Sequence, residues 1–427
     1  MNTTIILFTI FIVLFLLHVP IGISLGIASI ISLYLIGDFN MFMIAQRMFT
    51  GMDHTTLMAI PGFVFAGIIM GQGGISGALI RFMRAWLGHI RGGLSIIAIL
   101  ACTVFAAISG SSPATAAAVG GIMIPAMVAS GYDKNYSMGA VAAGGTIGIL
   151  IPPSITFVLI GTTAEQSIAR LFTAGIIPGL LLSLVFILVA VIYAVKKNYG
   201  GEERSNWEEK KNATIHAIPA MLLPVLIITA IYSGVATPTE VSFLSVAYAI
   251  IAGKFVYKEL NFKNFRTMVS DSIATTSMIF LIIANAMTFA LFLASEQIPQ
   301  QVVNWVVSQG VSTAAFWVFC FFLFIVLGTF LEAVAIVLIT LPVLLPVIKV
   351  LGIDITHFAV FMVMMIEMAM ITPPVGLNLF VVAGTNNATL EEVLRGVIPF
   401  MLAMLVAILL VVLIPQIALF LPNTMGN

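Results

Sequence analysis

Two near-copies of one motif lie 221 residues apart, and each interrupts an otherwise apolar helical run. The first reads Gly144-Gly145-Thr146-Ile147-Gly148-Ile149-Leu150-Ile151-Pro152-Pro153. The second reads Met370-Ile371-Thr372-Pro373-Pro374-Val375-Gly376-Leu377-Asn378. Tandem prolines remove two backbone donors and clash with the preceding turn, so a helix must break there. In hydrocarbon the freed polar groups survive only when buried in protein or lining a wet cavity. A pair of such breaks, in matching places of two halves, points to the binding site of a secondary transporter.

The chain has the composition this argument needs. Apolar residues make up 61% and charged residues 8%, and mean hydropathy is +1.18. That excludes a soluble globular domain. The opening Met1-Asn2-Thr3-Thr4 carries no basic n-region, and the chain passes through His18-Val19-Pro20 into another apolar run. The expectation is a retained first helix, not a cleaved signal peptide. The fold expected is an all-α integral membrane protein with about ten transmembrane helices plus two re-entrant helical hairpins. Crossings are expected near 3–18, 20–37, 55–75, 136–163, 171–195, 213–233, 239–256, 272–294, 356–384 and 397–421. Two longer runs, 94–130 and 313–350, are split by Ser109-Gly110-Ser111-Ser112-Pro113 and by Gly328-Thr329-Phe330-Leu331-Glu332. Arms of about 15 residues are short for a 30 Å core, which suits hairpins that enter and leave on one side.

Charge placement agrees. With both hairpins re-entrant, one face receives loops 76–93, 131–135, 196–212, 253–271 and 385–396, holding 14 of the 17 basic residues. Only Arg47, Arg170 and Lys349 fall opposite. The positive-inside rule makes the first face cytoplasmic and puts both termini outside. At the same offset of 221, Pro125, Gly131, Asp133, Pro152, Pro153 and Pro178 pair with Pro346, Gly352, Asp354, Pro373, Pro374 and Pro399. The expected organisation is a first repeat, 1–197, a charged cytoplasmic linker, 198–212, and a second repeat, 213–427. Each repeat holds a hairpin and a broken helix (136–163 and 356–384). Five crossings per half is an odd number, so the second half is inverted.

The candidate chemistry gathers at the tips and breaks. Ser109 to Ser112 offer hydroxyls and amides, with Ser112 read as the N-cap of a half-helix beginning at Pro113. The plainer reading is a helix cap alone. The functional one aims amides and the positive helix end at a carboxylate. Broken ends rich in carbonyls suit a hard cation such as Na⁺, and Gly144, Gly145 and Gly148 allow close backbone approach. Ser111, Ser112, Thr115, Thr329 and Asn378 are the substrate candidates. Glu332 and Glu367 are ionisable residues at membrane depth, either cation-handling or structural carboxylates. Cys102 and Cys320 lack redox or metal spacing. His18, His54, His89, His216 and His357 are scattered and read as interfacial. With no Walker loop, zincin or nucleophile-elbow motif, ATP hydrolysis and enzyme chemistry are not expected, nor an organic cofactor or nucleic-acid binding. Stretches 38–53 (Phe39 to Phe49, with Arg47) and 258–270 (Leu260, Phe262, Phe265, with Lys258, Lys263, Arg266) read as interfacial arm helices.

The runs at 109–120, 148–154 and 372–378 together resemble the large membrane subunit of tripartite ATP-independent periplasmic (TRAP) transporters, and the likeness extends over essentially the whole chain. The resemblance implies a Na⁺-coupled elevator in a bacterial inner membrane, importing an organic acid of the sialic acid or C4-dicarboxylate class. It implies two partners, a small four-helix membrane subunit and a periplasmic substrate-binding protein. It further implies one Na⁺ site at Ser109, Ser112, Gly145, Gly148 and Pro152 and another at Gly328, Thr329, Thr372 and Gly376, mostly through main-chain oxygens. Two other readings stand beside it: a self-sufficient Na⁺/dicarboxylate symporter, and an ion-translocating subunit of a redox complex.

Overall fold

Asp133 and Asp354 open two helices in the same way. Asp133 Oδ1 accepts from the Tyr136 amide at 2.9 Å, and Asp354 Oδ1 from the His357 amide at 3.0 Å. Two residues earlier, Gly131 and Gly352 take φ of +84° and +68°, a left-handed turn that glycine adopts without steric cost. Each carboxylate satisfies a donor the first helical turn leaves free. Asp133→Ala and Asp354→Ala should each cost about 1 kcal/mol. Thermal unfolding of the purified variants checks this, and the two falls in midpoint should be alike.

The computed structural model describes residues 3–37 and 40–424, and among these it is helical with no strand. The first half comprises α1 (Thr3–Leu16), α2 (Ile21–Ile36), α3 (Met41–Met52), a 3-10 turn (Thr55–Met58) leading into α4 (Ala59–Gln72), α5 (Ile75–Leu87), α6 (Gly93–Ser109), α7 (Ser112–Ala129), α8 (Lys134–Gly145), α9 (Ile155–Thr163) and α10 (Ile168–Lys197). There follow α11 (Trp207–Tyr232), α12 (Pro238–Ile251), α13 (Phe262–Ser295), α14 (Ile298–Ser308), α15 (Thr313–Gly328), α16 (Ala333–Val350), α17 (Ile355–Met370), α18 (Leu377–Thr385), α19 (Leu390–Leu413) and α20 (Gln416–Thr424). Helices α5 to α10 recur as α14 to α19, each starting within two residues of the 221-residue offset. Pro125 and Pro346 lie inside α7 and α16, and Pro178 and Pro399 inside α10 and α19.

Among the described residues, eight helices are long and apolar enough to cross a membrane. Six coincide with expected crossings. The other two are the second hairpin arms, α7 and α16, each of 18 residues. Their partners α6 and α15 have 17 and 16, so all four arms exceed the expected 15. The first two crossings are shorter, at 14 and 16 residues.

Several boundaries differ from expectation for local reasons. The second arm stretch is continuous with the crossing after it. The 34-residue α13 contains no Gly or Pro to break it and extends about 50 Å. In the first half, Gly51 and Pro61 fall in the same region, and α3 and α4 stay separate. Phe39 lies outside the described residues. Amphipathic α5 and α14, at equivalent places, fill stretches the sequence reading leaves as loop. The last crossing ends at Leu413 because Pro415 cannot continue it.

The linker is non-helical only over 198–206, and it is pinned in place. Tyr199 stacks on Tyr132 with centroids 4.3 Å apart, and Glu202 pairs with Arg84. Trp86 meets Trp207 edge-on and donates to Thr214 at 3.0 Å.

The two halves interlock. Every residue of α17 from Thr356 to Met370 is buried. His357, expected at an interface, is among them, with Nε2 2.8 Å from the Val411 carbonyl. Helices α8 and α19 cross where Gly139 faces Gly396, and a Cβ on either would overlap the other helix's backbone. Small residues let membrane helices approach this closely.

Candidate functional site

The first hairpin turns at Gly110, φ +59°, where a Cβ would run into the Pro153 carbonyl. Ser111, not Ser112, is the N-cap of α7, its hydroxyl 3.5 Å from the Ala114 amide. The tip is knitted internally. Thr115 donates to the Ser111 carbonyl at 2.8 Å, and its Oγ1 lies 2.8 Å from Ser109 Oγ. Against the tip rests the first break, a 3-10 turn at Thr146–Ile149 followed by the Pro152-Pro153 pair. Two glycines permit that contact. A Cβ on Gly148 would lie 3.0 Å from Ser112 Cα, and one on Gly145 would lie 2.9 Å from Ala116 Cβ and 3.1 Å from the Ser112 carbonyl. The Pro152-Pro153 and Pro373-Pro374 bonds are both cis.

At the second tip, α15 ends at Gly328, where a Cβ would overlap Ala369 of α17. Thr329 donates to Val326 and Thr372 to Met368, each at 2.7 Å, so both hydroxyls serve their own helices. Gly376, φ +57°, sets the turn into α18. Glu332 occupies the N-cap position of α16, yet its side chain makes no capping bond.

Between the tips the halves are tied by a buried chain of side chains. Asn378 Nδ2 donates to Ser112 Oγ at 2.7 Å and to the Ala142 carbonyl at 3.3 Å, and Ser112 Oγ donates to Glu367 Oε2 at 2.8 Å. All three residues are fully buried. Because Ser111 takes the capping role, the Ser112 hydroxyl is free to reach 255 residues along the chain. Glu367 Oε1 and Asn378 Oδ1 are buried without a partner among the described residues. Such orphaned acceptors are uncommon in a well-packed interior.

Both tips open on one cavity of about 300 Å³. Ser109, Gly110 and Ser111 line it from the first tip and Glu332 from the second, with Thr156 of α9 and Thr275 of α13 on its walls. The structure thus brings Ser109, Ser111 and Glu332 together on one surface. Ser112, Thr115, Glu367 and Asn378 stand behind it, and Gly145, Gly148, Pro152, Thr372 and Gly376 in the breaks, with Gly328 and Thr329 of the second tip, do not line the space. Thr156 and Thr275 were missed. Thr156 follows the first proline pair closely enough to be legible from the break, but nothing in the sequence singles out Thr275. The first-turn amides of α7 point their helix dipole toward the cavity end. Among the described residues Glu332 is the one charged residue lining it, and no Lys, Arg or His does.

The chemistry available is binding of a small polar molecule between helix ends. No grouping of three or more His, Cys, Asp or Glu able to hold a metal ion occurs among the described residues.

Comparison with known proteins agrees with this architecture. The family described as tripartite ATP-independent periplasmic transporter, DctM component, matches residues 8–417. The chain is 41% identical to the C4-dicarboxylate TRAP transporter large permease protein DctM of Pseudomonas aeruginosa, covering 94% of each. It is 38% identical to the isethionate TRAP transporter permease protein DctMQ of Oleidesulfovibrio alaskensis, covering 97% of this chain and 66% of that protein. Among solved structures, the YdaH transporter of Alcanivorax borkumensis has a TM-score of 0.67 over 99% of this chain and 100% of that one, at 12% identity, a likeness of fold alone. A motif-bearing, membrane-spanning chain that carries the DctM pattern almost from end to end belongs to the tripartite ATP-independent periplasmic transporter family, as a large permease subunit and not an enzyme.

Proposed function

We propose that the cavity between the two hairpin tips is the transport site for an organic acid, imported with Na⁺ by an elevator movement of the tips and breaks. The observation that carries this reading is the convergence of both tips on one space, with the amide end of α7 beside it and no cationic side chain among the described residues on its walls. Helix amino ends take anions by unpaired N–H groups and dipole together. On the opposing sides, helix breaks present free carbonyl oxygens, the hard ligands a cation such as Na⁺ takes. Ser109, Ser112, Gly145, Gly148 and Pro152 would hold one ion, and Gly328, Thr329, Thr372 and Gly376 the other. The unpaired Glu367 Oε1 and Asn378 Oδ1 fit such a setting, being acceptors with no donor to meet. Bound Na⁺ would supply positive charge for the substrate anion and link uptake to the ion gradient.

The halves read as inverted repeats, with α3 and the first part of α13 as arms held at the membrane surface. The charge distribution supports an inner-membrane placement with both termini periplasmic. A small four-helix membrane subunit and a periplasmic binding protein complete the assembly. The relative named DctMQ extends well past the region this chain covers, leaving room there for a fused second component.

Proteoliposomes containing the chain and both partners should take up substrate only under an inward Na⁺ gradient. Undiminished uptake in K⁺ or choline buffer would contradict the proposed coupling.

A further inference from the structure

Glu332 is the feature of the cavity that anion binding alone does not use. It is half-buried at the N-cap position of α16 and lines the same cavity as Ser109 and Ser111, and its side chain makes no hydrogen bond or ion pair among the described residues. A carboxyl group in a largely apolar space at membrane depth is costly without a partner and marks function by default. Among the described residues the lining holds no Lys, Arg, His, Asn or Gln, and none of its hydroxyls, those of Ser109, Ser111, Thr156 and Thr275, is bonded to Glu332. Ser109 Oγ already lies within hydrogen-bonding distance of Thr115 and of the Ser111 carbonyl. A donor carried by the cargo would give the Glu332 side chain the partner it lacks among the described residues.

We propose that Glu332 is a specificity-determining residue that accepts a hydrogen bond from a hydroxyl or ammonium group on the substrate, so that the chain takes acids carrying such a donor in preference to the same acids without it. This rests on the cavity being the transport site. The anionic group lies toward the α7 amides and the donor toward Glu332. A bare acid of equal charge leaves the carboxylate unpaired. Sites that bind a substrate hydroxyl through a buried polar group discriminate against the analogue lacking it, because that group then stays unsatisfied.

Two probe pairs isolate the donor, each differing by one hydroxyl: L-malate with succinate, and isethionate with ethanesulfonate. Binding is measured on the purified membrane complex in Na⁺ buffer, from the ligand-dependent rise of its unfolding midpoint, so that the periplasmic partner's own selectivity plays no part. The wild-type complex should bind the hydroxylated member of at least one pair about tenfold more tightly. Glu332→Ala should bring that ratio to within about twofold, chiefly by weakening the hydroxylated member, and Glu332→Gln, which keeps an acceptor oxygen, should retain part of it. Equal affinities within both pairs in the wild type overturn the proposal. So does a ratio that survives Glu332→Ala, or four probes that leave the midpoint unmoved. Ala114→Trp, which fills the cavity from an exposed lining position, separates the two layers of argument. If it leaves binding unchanged, the cavity is not the site. If it abolishes binding while Glu332→Ala keeps the ratio, only the role of Glu332 is wrong.

Discussion

Replacing Glu367 by alanine is expected to give a chain that inserts into the membrane but transports at most about one hundredth as fast as the wild type. Glu367 is the acceptor for Ser112 Oγ, and Ser112 in turn accepts from Asn378. The three residues belong to α17, α7 and α18, so the first hairpin is tied to both sides of the second break through the Ser112 hydroxyl, and Glu367 is its anchor on α17. All three are fully buried. Deleting the acceptor leaves the Ser112 hydroxyl without its partner and opens a cavity in α17, whose residues from Thr356 to Met370 are all buried. Leaving a buried donor unsatisfied costs about 1–3 kcal/mol, the cavity left by truncation adds to that, and about 3 kcal/mol corresponds to a hundredfold change in an equilibrium. Glu367→Gln keeps an oxygen to accept from Ser112 and should recover most of the unfolding midpoint. Uptake and thermal unfolding measured on the same preparations check this. Near-wild-type uptake by Glu367→Ala would show that the tie is dispensable.

The sequence exposed much of this fold because its strongest signals are local and covalent. Paired prolines must break a helix wherever they occur, so the matching breaks and the offset of 221 were legible directly. The same holds for the turns at Gly131 and Gly352 and the caps at Asp133 and Asp354. What was hidden depends on packing. Helices α5 and α14 are amphipathic, α5 with two arginines and α14 with Gln and Asn breaking up its apolar residues, so both read as loops; they become helices against neighbours, as α5 does where Trp86 meets Trp207 and Thr214. The length of α13 follows from the absence of a breaker, a weaker signal than the presence of one.

The site was legible in the same uneven way. Its residue types could be named, but not their partners. Ser112 and Asn378 stood out as polar residues beside the breaks and were assigned to the substrate. In the fold Ser112 meets Glu367 and Asn378, and Asn378 also meets the Ala142 carbonyl, none of the three side chains lining the cavity. That outcome turns on which of two adjacent serines caps α7, a choice between neighbouring hydroxyls that no spacing rule decides. Glu332 and Glu367, alike in sequence as lone carboxylates, part company for a similar reason. One lines the cavity, and the other is enclosed by α17's neighbours.

The central claim is that the tips and breaks move as a body past the rest of the protein, carrying the cavity with them. One hydrogen bond offers a direct test. Thr56, in the turn before α4, and Thr162, near the end of α9, have hydroxyl oxygens 3.2 Å apart across 106 residues of sequence. Helix α9 is part of the broken element proposed to move, and α4 follows the arm helix α3 proposed to stay. Side chains this close fall within the reach of a disulfide. The variant Thr56→Cys/Thr162→Cys, with Cys102 and Cys320 replaced by alanine, should crosslink under oxidation. Na⁺-driven uptake in proteoliposomes should then fall to background and return on reduction, while each single cysteine variant transports normally under both conditions. Uptake that continues at the reduced rate in fully crosslinked protein would contradict the account, because the body said to move would then be working while fastened.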